Sequence, residues 1–248
     1  DRRIFPQRSM TLNHTIMPKL SVWKPFENRF FQLATDERPM VFLDGKQRYA
    51  VSYHPSGTGT DFQIEPLVDL YITDLRSGKT VLWLEKQSQR LDEMSISPYG
   101  KFAAYLQDGH WQLYNFETGK HDIITNASMG QFISSLEFGG DGAYGIAGWA
   151  RNGKSVLFYD QYDIWSYSFK TKKVKRLTNG RSSRCEYRVS SFCDLSVQNF
   201  DGLTDNGIDT EKELTLKGTN IFESGYYRLA PDGRITEIIR GKFRVRYL

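Results

Sequence analysis

The sequence predicts an all-β fold, a β-propeller of short antiparallel four-stranded blades, with about four to five blades present. Three observations lead to this prediction. A turn and strand pattern returns four times, the runs between turns are rich in aromatic and β-branched residues, and the first turns recur at nearly constant intervals. Such side chains suit a pleated, half-buried surface, and glycines at turns tolerate positive φ.

The clearest copy of the repeat begins with the turn at 97–101. It continues through the runs 102–106, 111–116 and 122–125, which fit short strands joined by tight turns. Its turn glycines, Gly100 and Gly119, are 19 residues apart, and Gly153 and Lys172 have the same separation in the next copy. This regularity predicts that both copies form the same unit.

Two further copies are less regular. In the earliest copy, Gly45 and Gly78 are 33 residues apart, which predicts an inserted loop at 54–67. A weaker fourth copy covers 213–239. The first-turn glycines Gly45, Gly100 and Gly153 follow one another at 55 and 53 residues, close to the length of a propeller blade. The alternative is a β-sandwich in which this spacing is coincidental.

The pattern also suggests domain limits. The predicted blades cover 41–86, 92–127, 147–180 and 210–240. Residues 1–40 are expected to be an irregular, proline-broken segment that includes the end of a preceding blade at 29–36, and 241–248 a terminal strand or the start of a further blade. The polar stretch 180–212 is either a long loop or an insertion with short strands of its own. Four units are few for a closed ring, so we expect a fragment of a longer polypeptide or a small ring closed by terminal strands.

Composition and charge argue against two classes of partner. The net charge is +4, and the densest basic cluster lies on a predicted turn and outer strand, where charges normally face water: Lys170, Lys172, Lys173, Lys175 and Arg176. Nucleic-acid binding prefers a broader basic face. The sequence also lacks an apolar stretch near the roughly 20 residues that span a bilayer. We therefore predict no nucleic-acid partner and no membrane span.

The two cysteines leave the redox state open. Cys185 and Cys193 are eight residues apart, so on one continuous strand they would share a face too far apart to bond. A turn at 190–191 would bring them together as a disulfide, and two free thiols fit the sequence equally well. Two cysteines and four histidines do not form a zinc signature, and we predict no metal and no cofactor.

The sequence contains no complete hydrolase motif. The nearest approach to the Gly-x-Ser-x-Gly nucleophile elbow is 180–183, which lacks the second glycine. A catalytic triad would also need a histidine oriented by a carboxylate. His14, His54, His110 and His121 are each predicted in loops or turns as solvated surface residues. No catalytic residue is assigned, and the binding residues are unknown.

Paired carboxylates are the remaining candidates for chemistry, since some propeller glycosidases place acids around a central funnel. The candidates are Asp61, Glu65, Asp69, Asp92 and Glu93. The competing interpretation is a charged loop and turn, because acids at strand ends are common. The glycine-rich segment 57–60 lacks the Lys-Ser/Thr that completes a phosphate-binding loop.

Several of these segments, taken in order, resemble a known family. They are 97–102, 153–158, 162–165 and 174–181. This series is similar to the TolB-like repeats of the propeller in serine peptidases of the prolyl oligopeptidase family, particularly the bacterial dipeptidyl-peptidase type. The resemblance covers 41–240, about four blades of a propeller that usually has seven or eight.

The resemblance implies a function as well as a fold. In that family the propeller covers a C-terminal α/β-hydrolase domain and filters substrates by size, and the catalytic triad lies outside the propeller. It implies a hydrolase domain of the same polypeptide as partner and a periplasmic or secreted location. Dipeptidyl peptidases also use a pair of glutamates in the propeller, which the lone Glu65 does not match. A free-standing propeller that binds a protein or peptide, and a propeller glycosidase or lyase, remain as alternatives.

Overall fold

The computed structural model describes residues 18–55, 66–90, 93–136, 140–190 and 207–245. Within these ranges the chain forms β-strands and two short 3-10 helices, Pro25–Glu27 and Gly180–Ser183. The strands assemble into four successive sheets and two separate hairpins. This confirms the predicted fold class.

The first half of the chain contains one hairpin and two four-stranded sheets. The first hairpin pairs β1 (Ser21–Lys24) with β2 (Arg29–Gln32). Sheet 1 consists of β3 (Met40–Leu43), β4 (Tyr49–Tyr53), β5 (Val68–Asp74) and β6 (Lys79–Gln87). Sheet 2 consists of β7 (Met94–Ile96), β8 (Phe102–Gln107), β9 (His110–Asn115) and β10 (Lys120–Ile123). In each sheet every strand pairs antiparallel with the next one along the chain.

The second half contains a connecting hairpin and two larger units. The connecting hairpin pairs β11 (Ile133–Leu136) with β12 (Gly140–Ala143). Sheet 3 contains β13 (Ile146–Ala150), β14 (Ser155–Tyr159), β15 (Ile164–Ser168) and β16 (Val174–Arg176). Sheet 4 begins with β17 (Glu186–Val189), after which β18 (Gly207–Ile208) pairs parallel with β13 of sheet 3. Sheet 4 is completed by β19 (Leu214–Thr219), β20 (Ser224–Leu229) and β21 (Ile235–Gly241).

The polar stretch at 180–212 therefore carries short strands, which is the second of the two alternatives. The predicted repeat at 210–240 contains β19, β20 and β21, whereas the first strand of that sheet, β17, lies in the polar stretch.

Buried apolar clusters hold neighbouring sheets together, and we call each of these clusters a seam. Between sheets 1 and 2, Tyr49 and Val51 pack with Ile96 and Tyr105 in one buried cluster. Equivalent clusters join sheet 2 to sheet 3 and sheet 3 to sheet 4. Each fully buried side chain of this kind contributes roughly 1.5–3 kcal/mol, so the seams dominate the stability of the stack. Aromatic side chains fill part of the space between sheets 1 and 2, where Trp83 packs against Tyr105 and Tyr114.

The turn glycines have two different structural roles. Gly78, Gly100, Gly119 and Gly153 have φ between 66° and 75°, as the repeat pattern predicted. For Gly45 the prediction of a positive φ is wrong, and Gln47 of the same turn has φ 51° instead. A Cβ atom on Gly45 would lie 1.6 Å from the carbonyl oxygen of Pro98. Gly45 is thus needed because the first turn of sheet 1 lies directly against the first turn of sheet 2.

Candidate functional site at the axial edge

The four sheets have one exposed edge and one edge turned inward. The fourth strands β6, β10, β16 and β21 are largely exposed, whereas the first strands β7 and β13 are mostly buried. In a propeller the sheets are arranged around a central channel. The opposite edge, formed by β3, β7, β13 and β17, is therefore the edge nearest the channel, and we call it the axial edge.

A strap of residues 207–213 covers part of the axial edge. Its strand β18 pairs parallel with β13 at Trp149 and Ala150. The amide of Arg151 donates to the carbonyl oxygen of Ile208 at 2.9 Å, and Nε of Arg151 donates to that of Gly207 at 3.2 Å. The Ile208 side chain is buried in the seam between sheets 3 and 4. The strap therefore occupies the free backbone groups of β13 over two residues.

Arg188 lies on β17 and reaches across to sheet 3. Its guanidinium donates to the carbonyl oxygens of Asp160 and Gln161 at 3.2 and 3.1 Å. It also stands over the ring of Tyr159, with 4.6 Å between Cζ and the ring centroid, and 5.9 Å from that of Tyr144. Cation–π contacts of this type favour a fixed cation. The position of Arg188 is thus set by both sheets.

The loop between β14 and β15, whose backbone carbonyl groups accept from Arg188, carries two fully buried aspartates, Asp160 and Asp163. Asp160 accepts the amides of Tyr162 and Asp163 at 2.8 and 2.6 Å and forms an ion pair with Arg181 at 3.0 Å. Buried carboxylates are retained where such partners compensate the lost hydration. The carboxylate of Asp160 therefore fixes the loop between β14 and β15 and the position of the Arg181 guanidinium.

Asp163 links the start of β15 to the segment after β16. Its Oδ1 accepts the Thr178 hydroxyl at 2.7 Å and the Gly180 amide at 2.5 Å. Its Oδ2 faces Arg176 at 3.8 Å, too far for a hydrogen bond. These contacts give Asp163 a structural role inside the segment that resembles the family repeat.

The carboxylates predicted from the sequence do not meet in one described site. Asp61, Glu65 and Asp92 lie outside the described residues. Asp69 on β5 accepts the amide of Lys86 at 2.9 Å, where the pairing of β5 with β6 is irregular. Glu93 forms an ion pair with Arg90 at 3.5 Å. The contacts of Asp69 and Glu93 are those of strand and loop residues.

The predicted positions of two histidines are wrong. His110 begins β9 and His121 lies on β10, so both are strand residues. The Tyr105 hydroxyl lies 2.6 Å from Nδ1 of His121 and donates to Oε1 of Gln112 at 2.9 Å. Each follows a turn glycine closely, Gly109 and Gly119, and lies at the start of a strand, while the exposed state predicted for His121 is confirmed. His54 lies in a loop as predicted, and His14 lies outside the described residues.

Burial changes the acidity of this pair. It lowers the pKa of His121. Burial, with a smaller effect of Tyr114, raises the pKa of Tyr105 to about 12. His121 lies on the outermost strand of sheet 2, β10, and Tyr105 reaches it from β8 across β9, so the pair is not part of the axial edge.

The serines nearest to a nucleophile motif and the described cysteine have ordinary surroundings. Ser182 and Ser183 donate to the carbonyl oxygens of Asn179 and Gly180 within their own 3-10 helix. Cys185 is a buried free thiol, and burial raises its pKa, which disfavours the thiolate. Cys193 lies outside the described residues. The segment 57–60 also lies outside them.

A cavity of about 760 Å³ opens beside sheet 4, between the β19–β20 turn and residues 242–245. Exposed Ile221, Phe222 and Phe243 line it together with Lys242 and Arg244. The chain after β21 is fastened there because the Ser224 hydroxyl accepts the amide of Val245 at 2.9 Å. No sequence motif predicted this cavity, because its walls come from the β19–β20 turn and from the segment after β21.

Within the five described ranges, no group of three or more His, Cys, Asp and Glu side chains could hold a metal ion. In the same ranges, no helix has the length and apolar character needed to cross a membrane. The axial edge carries the Arg188 guanidinium over the ring of Tyr159, and the strap already occupies the backbone groups of β13 at Trp149 and Ala150.

Comparison with solved structures shows the fold. The chain resembles the dipeptidyl peptidase 4 of Porphyromonas gingivalis with a TM-score of 0.52 and 10% identity, over 84% of this chain and 33% of that protein. Weaker similarities include a TolB-type protein of Agrobacterium tumefaciens (TM-score 0.45, 11% identity, 86% of this chain and 70% of that one). The acylaminoacyl peptidase of Pyrococcus horikoshii gives a TM-score of 0.44 at 11% identity, over 81% of this chain and 32% of that one.

The comparisons by sequence found no relatives. No family profile matches the chain, and no curated protein matches it. The chain spans about a third of the length of the dipeptidyl peptidase that it resembles. The seams, the order of strands in the sheets and this structural similarity agree, and the chain has the fold of a β-propeller.

Proposed function

We propose that this chain is a non-catalytic propeller region of a serine peptidase of the prolyl oligopeptidase family, of the dipeptidyl-peptidase type. Its role would be to dock the α/β-hydrolase domain of the same polypeptide and to limit access to it. The observation that carries the proposal is the axial edge, where the strap 207–213 pairs with β13 and Arg188 reaches from sheet 4 to sheet 3. A peptidase placed behind such an edge would receive extended chains more easily than folded ones.

Two further observations support the proposal. The segments that resemble the family repeat form the first turn of sheet 2 and the strands and buried aspartate of sheet 3. The structural similarity to a dipeptidyl peptidase covers most of this chain. The periplasmic or secreted location that the resemblance implies is part of the same proposal.

A fluorophosphonate probe tests the proposal, because it phosphonylates only an activated serine, with loss of fluoride. The polypeptide purified from its natural source is labelled, digested and mapped. We expect one labelled serine outside the residues of this chain, and no label on the isolated chain. Failure to label the natural polypeptide would favour a free-standing binding propeller, and a label on Ser182 or Ser183 would contradict the non-catalytic role.

A further inference from the structure

The first hairpin has two apolar faces, and sheet 1 covers only one of them. Val22 and Phe31 pack against sheet 1 in a cluster with Leu33 and Leu75. Trp23 and Phe30 are directly opposite each other across the hairpin, on the other face. Their exposed fractions are 70% and 69%. Two adjacent exposed aromatic side chains form a larger apolar patch than scattered surface residues do.

The hairpin has the same turn geometry as the outer hairpins of sheets 1 to 3. Its last pair, Lys24 and Arg29, encloses four residues, and the fourth, Asn28, has φ 48°. Sheets 1, 2 and 3 have the same four-residue turn, and the fourth residue has a positive φ in each: Gly78, Gly119 and Lys172. The pair next to the turn is Trp23 and Phe30 in the hairpin. The corresponding pairs are Thr73 with Thr80, Tyr114 with His121 and Tyr167 with Val174.

This correspondence identifies the direction in which Trp23 faces. Tyr114 of sheet 2 packs against Trp83 of sheet 1, with ring centroids 4.9 Å apart. Tyr167 of sheet 3 belongs to the cluster shared with sheet 2. In sheets 2 and 3, therefore, this position faces the preceding sheet.

In sheet 1 the residue at the corresponding position, Thr73, also faces the element that precedes the sheet. Thr73 pairs with Ala50, and Ala50 belongs to the cluster shared with the first hairpin. Side chains of directly paired residues lie on one face of a sheet. Thr73 thus faces the hairpin, which stands before sheet 1 in the stack.

We propose that the Trp23–Phe30 face is the docking surface of one further antiparallel propeller sheet, supplied by the same polypeptide. The first hairpin then forms the outer half of a blade, and the additional sheet packs on it as sheet 1 packs on sheet 2. The facing side chains of that sheet are aliphatic and aromatic, as Trp83 is in the seam between sheets 1 and 2. This inference concerns the assembly of the propeller and stands independently of the proposed peptidase role.

The charges around the hairpin disfavour a lipid surface as the occupant. Lys24 and Arg29 lie on the face toward sheet 1, where they donate to the carbonyl oxygen of Arg76 at 2.9 and 3.2 Å. They are therefore not placed beside Trp23 and Phe30 to contact anionic headgroups. Phe26, at the turn, is fully exposed. It corresponds in the turn to Glu117 and Lys170, which are also exposed, so a stacked sheet would leave it in solvent.

Hydroxyl-radical footprinting of the natural polypeptide tests this inference. Oxidation of Trp23, Phe26 and Phe30 is measured in the folded and the denatured protein, and each ratio gives a protection factor. We expect Trp23 and Phe30 to be protected several-fold and Phe26 to remain as reactive as in the denatured protein. The contrast between residues of one hairpin is an internal control.

Three outcomes would overturn the inference. Equal protection factors for the three residues would show that nothing covers the Trp23–Phe30 face. Protection that disappears on dilution would show that a second copy of the chain covers this face. Protection of Phe26 together with Trp23 on addition of anionic phosphatidylserine vesicles would show that a membrane covers this face.

As a second measurement, the double substitution of Trp23→Ser with Phe30→Ser should lower the melting temperature of the natural polypeptide, and Phe26→Ser should not. None of these results depends on fluorophosphonate labelling.

Discussion

The indole N–H of Trp149 donates a buried hydrogen bond to the hydroxyl of Ser95 at 2.9 Å. Ser95 lies on β7 and Trp149 on β13, so the bond joins the first strands of sheets 2 and 3. Both residues are almost completely buried. The seam is thus fixed by one directed polar contact as well as by apolar packing.

This bond predicts a coupling between the two positions. Ser95→Ala leaves the indole N–H buried without its acceptor and should cost about 1–3 kcal/mol. A double-mutant cycle with Trp149→Phe should give an interaction energy of at least about 0.5 kcal/mol, measured by urea unfolding. The matched control is Trp165→Phe, because the Nε1 of Trp165 has no hydrogen-bond partner among the residues that the structure describes. Similar coupling of Ser95 to Trp165 would contradict the assignment.

Gly45→Ala should destabilise the protein far more than an ordinary turn substitution. The added Cβ would meet the backbone of Pro98 at 1.6 Å, so the turns of sheets 1 and 2 must move apart. We expect a loss of about 3 kcal/mol, at the upper end of overpacking effects. Gly153→Ala is the control, since φ is 66° there but no atom of the described part of the chain would lie within 4 Å of the added Cβ. It should cost only about 1 kcal/mol, from the left-handed backbone. Equal losses would show that the two turns do not touch.

Stability should fall at alkaline pH through buried tyrosines. Burial raises the pKa of Tyr53 and of Tyr105 to about 12, above the ordinary value of 10. Between pH 10 and 12 the unfolded chain therefore releases these protons while the folded chain keeps them, so the free energy of unfolding falls as pH rises. Each tyrosine contributes at most about 1.4 kcal/mol per pH unit. Urea titrations across this window should show a shallower fall in Tyr53→Phe and Tyr105→Phe, and an unchanged slope would contradict the burial effect.

Loosening the strap should expose one particular backbone group. Ile208→Ala removes the side chain that holds the strap in the seam, at a cost of about 2 kcal/mol or more. The amide of Arg151, which donates to the carbonyl oxygen of Ile208, should then exchange with deuterium faster than the amides of sheet 2. Leu229→Ala, in the same seam but outside the strap, is the control. Selective exchange at Arg151 in both variants would show that the strap has no independent hold on β13.

The features that could be predicted from sequence are the local ones. The turns with Gly78, Gly100, Gly119 and Gly153 need a left-handed backbone, and the sequence shows that need directly. The requirement at Gly45 comes from Pro98, more than 50 residues away, so inspection of the turn itself led to the wrong reason. Contacts between blades leave no local pattern.

The elements that were missed depend on distant partners. The strand β18 has two residues, and it is a strand only because β13 offers a free edge. The role of Arg188 depends on Tyr159 and two carbonyl oxygens of sheet 3. Neither the strand β18 nor Arg188 belongs to a sequence motif. Among the predicted carboxylates, Asp69 and Glu93 are the two that the structure describes, and each has a nearby backbone or side-chain partner.

The most direct test of the account is the size selectivity of the natural polypeptide. Cleavage of a short peptide is compared with cleavage of the same sequence placed in a rigid loop of a folded protein, by kcat/KM. If the propeller gates a hydrolase, the short peptide should be cleaved and the folded protein should not. Equal cleavage of both would contradict gating, and cleavage of neither would contradict the peptidase role.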